Sequence, residues 1–461
     1  MINLTVIIEI RGVSRIVGHI AGTSHIDARF SYAPEYLSTP GCRPISISLP
    51  LQTVAFSPVR TRNFFEGLLP EGFTRRCVAE RVQVDENDYI SLLSALGSEC
   101  LGAIKVVSDE VPAVEAGYRQ LSMDEVQALA REGAMESAEL VTKAHLSLTG
   151  ASGKVGLYYD EPRNTWYLPI GDAPSTHIVK QSHVRLKRIV TNEQLCLLTA
   201  SALGIDVPES FIITLGGNAD ENILFATRRY DRNPAAAYTA ARSSTNFDSS
   251  DDAYIDAAID KSAMIQTSVS PSVRKLDGHP IPCRLHQEDF SQALGIPASE
   301  KYEKPGQNYL VKMFDALRKY AANPLFDQLK LWNICIFNYL IGNTDNHIKN
   351  LSLLYDEDLR GIHLAPAYDI VSTVIYDSST KNMAMNIGGL YKLHEITRET
   401  FAAEAKLCGL GVKHALAAFD AMAEQFPAAL DHAADKLEKQ GFSDAKDIAQ
   451  RIIAKRGLLM L

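Results

Sequence analysis

The spacing of apolar positions changes along the chain and divides it into regions. Near the start, Val6-Ile7-Ile8-Glu9-Ile10 and Ile45-Ser46-Ile47-Ser48-Leu49 carry β-branched residues in partial alternation, the period of a half-buried strand. A helical stretch is expected from near Phe64 through Val78–Val84, and Leu101–Val107 reads as a strand closing a region over 1–110, before a turn-prone acidic connector around Pro112. A second α/β unit is expected over 120–232. It holds a helix at Met123–Arg131 capped by Ser122, strands at Leu157–Tyr159 and His177–Lys180, a helix at Glu193–Leu203, and a strand pair at Phe211–Leu215 and Ile223–Thr227. Residues 233–280 are rich in Ala, then in Ser and Asp, and read as an insertion, partly flexible, that buries little apolar surface. From 281 to 461 the pattern turns helical: Leu325–Ile341 is dense enough for a buried helix, and Phe401–Phe426 and Ala433–Leu459 read as amphipathic ones.

Composition narrows the class. Of 461 residues, 46% are hydrophobic and 22% charged, which fits a globular protein of two or three packed regions. No apolar run reaches the roughly 18–20 residues needed to span a bilayer, and the start has no basic, signal-like segment, so no membrane partner is expected. Seven cysteines at scattered positions, an odd number without a CxxC, argue against a disulfide framework or zinc site and fit a reducing cytoplasm. A formal charge of −9 disfavours direct DNA binding across the surface.

The candidate chemistry lies in Gly342-Asn343-Thr344-Asp345-Asn346-His347-Ile348-Lys349-Asn350 and, downstream, Pro366-Ala367-Tyr368-Asp369. An Asp, an Asn five residues on and a later Asp are the oxygens that phosphoryl transfer uses: a carboxylate beside the acceptor hydroxyl, and ligands for a hard Mg²⁺ ion. The same letters also suit a capped turn. His347 reads chiefly as an orienting group, and Lys349 as a charge neutraliser for the transferring phosphoryl. Lys180 ends an apolar strand, and Glu193 on the following helix is its candidate brace, the arrangement kinases use on nucleotide phosphates. The turn Ser147-Leu148-Thr149-Gly150-Ala151-Ser152-Gly153-Lys154 offers backbone N–H groups to phosphates but is no Walker A motif. Arg228, Tyr230 and Asp231 end a strand and suit contacts to adenine and ribose, although a charged strand end is the commoner explanation for such a run.

Together these blocks resemble the HipA family of serine/threonine kinases, the toxins of HipBA-type toxin–antitoxin systems. The resemblance runs nearly end to end, through Asn63–Gly72, Leu96–Ala103, Ser147–Lys154, His177–Lys180 with Asn192-Glu193, Arg229–Arg232, Arg284–Phe290, Gly342–Asn350 and Leu364–Asp369. It implies an α+β, two-lobed protein-kinase-like fold with an extra N-terminal α/β subdomain and a mainly helical C-terminal lobe. It implies Asp345 as catalytic Asp, Asn350 and Asp369 as Mg²⁺ ligands, Lys180 on the ATP phosphates, 228–231 as the hinge, and Ser147 as an autophosphorylated switch. It further implies a protein substrate with an acceptor serine or threonine, aminoacyl-tRNA synthetases among them, and a small helix-turn-helix antitoxin that carries the complex to DNA. The sequence departs from the family in its long 233–280 insertion, in Arg228 where an acidic or neutral residue is expected, and in Gly153. The reading is an ATP- and Mg²⁺-dependent growth-inhibiting kinase. The alternative is a catalytically weak HipA-like module that binds an antitoxin and, through it, operator DNA; a metal-dependent nuclease is disfavoured by the acidic charge.

Overall fold

The computed structural model describes residues 2–108, 114–132, 153–182, 186–233 and 274–456. The connector around Pro112, the segment Ser147–Ser152 and most of the 233–280 insertion lie outside the described residues.

The N-terminal region is a four-stranded antiparallel sheet in the order β3-β2-β1-β4, from β1 (Ile2–Ile10), β2 (Val13–Gly22), β3 (Arg29–Tyr32) and β4 (Ile104–Ser108). Its core gathers the stacked or edge-on rings of Phe30, Tyr32, Phe56, Phe64 and Phe65. Helices Pro58–Phe65, Gly72–Val82 and Tyr89–Leu96 accompany it; the first is capped by Ser57, whose Oγ accepts from Arg60 N. The expected strand at Ile45–Leu49 is a loop. Its backbone groups go to side chains rather than to a ladder: Tyr32 Oη donates to Leu49 O, Ile45 N donates to Tyr32 Oη, and Ile47 N donates to Glu288. Alternation alone does not distinguish such a segment from an edge strand.

The second region is a six-stranded antiparallel sheet, order β5-β7-β6-β8-β10-β9, from β5 (Gly117–Gln120), β6 (Lys154–Asp160), β7 (Thr165–Ile170), β8 (His177–Gln181), β9 (Ser210–Thr214) and β10 (Ile223–Arg228). The Met123–Glu132 helix opens on a reciprocal Ser122–Glu125 cap. The Ile189–Ala202 helix is buried on nearly every side, from Val190 to Leu197 without a break. A helix buried on all sides sits between layers, and this one, which carries the buried polar run Thr191–Gln194, packs against β9 and β10 and against the long Val412–Lys439 helix.

The larger lobe is mainly helical, but not from 281 onward. It first forms a three-stranded antiparallel sheet, Gln287–Asp289, Ser352–Tyr355 and Ile362–Leu364, and later a hairpin, Asn382–Ile387 with Leu390–Lys392. These strands are too short to show a period in sequence. Pro324–Ile341 is the central helix; Asn323 caps it and Trp332 Nε1 donates to Ala415 O at 3.0 Å. The three C-terminal helices are Arg398–Leu407, Val412–Lys439 and Asp444–Arg456. Their breaks fall at Gly409–Gly411 and Gly441, not near 427–432 as the sequence reading placed them.

Candidate active site

Gly342 ends the central helix in the left-handed region, φ +72°. The chain beyond it is fixed atom by atom. Asn343 N donates to Asn338 O and Asp345 N donates to Asn343 Oδ1. Thr344 N donates to Thr373 Oγ1 at 2.8 Å, while Thr373 N donates back to Gly342 O at 3.0 Å. The loop is thereby latched to the segment just beyond Asp369. His347 N and Asn350 Nδ2 both donate to Asp345 O, at 2.7 and 3.1 Å, closing the turn that holds the Asp and the Asn together.

Asp369 is a non-glycine residue at φ +56°. Asp tolerates that region better than most residues, and such strain concentrates at working sites. Its Oδ1 accepts from Lys180 Nζ at 2.7 Å, and Glu193 Oε1 accepts from the same ammonium at 2.6 Å. The Ile189–Ala202 helix is also tied directly to the larger lobe: Asn192 Oδ1 accepts from Ser372 N, and Asn192 Nδ2 donates to Ser372 O. One helix thus carries both the brace of the strand lysine and a clamp on the segment after Asp369.

These residues line one cleft. Gly153, Lys180, Glu193, Asp345, Asn350 and Asp369 all face it. Through Lys180, Glu193, Phe225 and Asp369 it continues into an apolar slot walled by Ile178, Leu197, Phe225, Pro208 and, from the N-terminal region, Leu101. Lys154 stands opposite Lys180 across the β6–β8 ladder and lines the slot.

The charges are arranged by burial and pairing. Burial opposes the Lys180 ammonium, but Asp369 and Glu193 outweigh it and raise its pKa. Burial likewise opposes the Asp369 carboxylate, and Lys180 and Lys154 overcome it, holding it well below the ordinary range. The Asp345 carboxyl is pushed up, first by burial and further by Asp369, against the hydrogen bond from Tyr302. Burial and the neighbouring Lys301 lower His347 to about 3, so its ring is neutral at physiological pH.

Two expected roles change. Lys349 does not meet the cleft. Its buried ammonium donates to Asp289 Oδ2 at 2.6 Å and lies 3.5 Å from Glu71, so it ties the Gly342–Asn350 loop to the N-terminal region. Asp231 reaches the slot, but its carboxylate is consumed by Arg229, Arg232, the Gly102 N–H and Gln287 and is not available to a ribose. Tyr230 rests against the Tyr368 ring and its hydroxyl bonds Gln287. Arg228 faces the slot with its guanidinium held by Glu161 and Glu209. Ser147, Gly150, Ala151 and Ser152 lie outside the described residues. Sequence reasoning gave no role to Tyr302, Glu71, Asn192 or Thr373. Asn192, adjacent to Glu193, and Glu71, within the Asn63–Gly72 block, carry a local signal; Tyr302 and Thr373 carry none.

Comparison with known proteins agrees along most of the chain. Residues 8–107 match the HipA N-terminal domain and residues 146–430 the HipA-like C-terminal domain. A Sinorhizobium fredii protein named "Putative kinase Y4mE" is 32% identical over 86% of this chain and 84% of its own length. The serine/threonine-protein kinase toxin HipA of Shewanella oneidensis is 26% identical over 80% of this chain and 75% of its own. In fold, the chain is similar to one solved as the Shewanella oneidensis complex of HipA, HipB and operator DNA, with TM-score 0.74, 22% identity, and coverage of 98% of this chain and 96% of that one.

Proposed function

The chain belongs to the HipA family, and we propose that it is an ATP- and Mg²⁺-dependent protein serine/threonine kinase that acts in the cytoplasm as a growth-inhibiting toxin. The observation that carries this reading is the single cleft shared by Lys180, Asp345, Asn350 and Asp369. Four groups separated by up to 189 residues in sequence meet there, with an apolar slot of the kind a nucleobase occupies beside them.

The donor set suits Mg²⁺ bound together with a nucleotide. Among the described residues no cluster of three or more His, Cys, Asp or Glu could hold a metal alone. One carboxylate and one amide oxygen suit a hard ion that keeps water and phosphate oxygens in its remaining positions. Asn350 spends its amide nitrogen on Asp345 O, which leaves its side-chain oxygen for the ion. Bound there, Mg²⁺ would neutralise charge on the phosphate oxygens. The protein's own groups do the rest. Lys180 positions the phosphates while Glu193 keeps its ammonium in place. Asp345 orients the acceptor hydroxyl and takes its proton, and its raised pKa makes it a better base for that step.

The acceptor is proposed to be a serine or threonine of a protein of the translation machinery, such as an aminoacyl-tRNA synthetase. A HipB-like helix-turn-helix antitoxin is the proposed partner, with DNA reached through it; the partners in the solved Shewanella oneidensis complex support this. No helix among the described residues is long and apolar enough to cross a membrane, and all seven cysteines are free.

In the test, γ-labelled ATP is incubated with cell lysate and the labelled proteins are identified by mass spectrometry. Asp345→Asn is expected to lower transfer by roughly 10²-fold or more while nucleotide still binds. Undiminished transfer in that variant would refute the assignment. Nucleotide binding by the wild type without any transfer would instead favour a regulatory module.

A further inference from the structure

Tyr302 lies in the link between the Ala298–Glu300 turn and the Tyr309–Tyr320 helix. Its hydroxyl donates to Asp345 Oδ1 at 2.7 Å. That carboxylate oxygen is where an acceptor hydroxyl must dock for its proton to be removed. The tyrosine is 48% exposed, and its ring stands edge-on to His347 at 5.3 Å. Both neighbours are anchored. Lys301 Nζ donates to Glu71 at 2.8 Å, while Glu303 accepts from Tyr309 N and Asn386 N and donates its own N–H to Ala384 O. The backbone is therefore held on both sides of a side chain that keeps room to rotate. Tyr302 also lines two spaces at once: the nucleotide cleft, and an outer groove between the N-terminal region and the larger lobe, bordered by Asn63, Arg75, Arg76 and Ser299.

We propose that Tyr302 is the specificity gate of the acceptor site: its hydroxyl occupies the acceptor's place on Asp345, keeps water off that carboxylate, and yields only to a protein hydroxyl delivered through the outer groove. This rests on the kinase reading above. The physical argument is one of competition. A water molecule brings only its own hydrogen bonds to displace a tethered hydroxyl. A protein segment brings binding free energy from the rest of its contacts in the groove, and this can drive the exchange. With the gate removed, water takes the acceptor's position. Its oxygen forms the bond to the γ-phosphorus, the bond from that phosphorus to the bridging oxygen of ADP breaks, one water proton passes to Asp345, and ADP and inorganic phosphate leave. Burial keeps the Tyr302 phenol protonated, so it stands on Asp345 as a donor throughout the physiological range.

The experiment uses the full chain and MgATP alone, with no acceptor, and measures ADP release. Tyr302→Phe removes one oxygen from a half-exposed side chain and should leave folding and nucleotide binding unchanged. ADP release is expected to rise by roughly tenfold, as it is in Tyr302→Ala, and the rise should vanish when Asp345→Asn is added. ADP release in Tyr302→Phe no faster than wild type, with both binding MgATP, would overturn the gate. Phosphate found on Tyr302 itself in the wild type would also overturn it, by making the tyrosine an acceptor. If the wild type neither binds MgATP nor labels any lysate protein, the kinase reading fails and the gate with it; labelling of lysate proteins alongside an inert Tyr302→Phe variant condemns the gate alone.

Discussion

At the scale of single residues, the groups that line the cleft are more legible than those that hold them. Lys180, Glu193, Asp345, Asn350 and Asp369 were singled out because their types and order suit phosphoryl transfer, and the fold brings all five to one cleft. Lys349 carried the same kind of local signal and turned out to be spent on Asp289 and Glu71, because a sequence shows a charge but not its counter-ion. Tyr302 had no signal, since its partner lies 43 residues away. Glu288 is a further case. It is fully buried, and its Oε1 accepts from Ile47 N and Tyr355 Oη. Burial pushes its pKa up to about 7, against hydrogen bonds from Ser46, Tyr355 and Ile47. A carboxyl whose pKa is higher in the folded state binds its proton more tightly there, so stability falls as pH rises from the unfolded value, near 4.5, through about 7. Glu288→Gln removes the charge and keeps one acceptor. Thermal melts should show this variant gaining up to about 3 kcal/mol over wild type at pH 8 and little at pH 5. An equal offset at both pH values would contradict the assignment.

At the scale of elements, long apolar patterns located helices well and their ends poorly. Pro324–Ile341 was read almost to the residue because it is buried over two faces and closed by glycine. The sequence pattern puts the break of the C-terminal pair at the wrong place. Pro427 is exposed on the Val412–Lys439 helix, where water can take up the carbonyl it leaves free, so the helix continues through it. The real breaks use Gly409 and Gly441, both at positive φ. Gly342 shows what such a residue does for function. A Cβ there would lie 2.5 Å from Val374 Cγ2, and the left-handed backbone would be strained besides. Gly342→Ala should cost roughly 2 kcal/mol. Because Gly342 O receives the N–H groups of Thr373 and Val374, transfer should suffer more than nucleotide affinity. Calorimetric melting with parallel binding and transfer assays checks both, and equal losses in binding and transfer would mean that the loop is not displaced.

At the scale of the whole molecule, the three regions share one buried ionic network. Glu99 accepts from Arg229, Arg232 and Arg284, Asp231 pairs with Arg229 and Arg232, and Glu9 pairs with Arg284. Three acids face three guanidiniums, all buried. No reading of the sequence could have assembled it, since its members lie in three separate regions of the chain. Removing one member of such a set leaves buried charge uncompensated, so Glu99→Gln should lower stability by about 3–5 kcal/mol, measured as a shift in the urea midpoint. A midpoint within error of wild type would show that the network is dispensable. The order in which these residues are synthesised gives the network a further consequence. Glu9 leaves the ribosome 275 residues before Arg284 does. Glu99 gains Arg229 and Arg232 midway along the chain, while Glu9 and Glu99 wait longer for Arg284, and contacts so distant along a chain close late. The buried seam that joins the three regions is therefore completed only when the larger lobe emerges, so the chain reaches its full set of internal charge pairs late in synthesis.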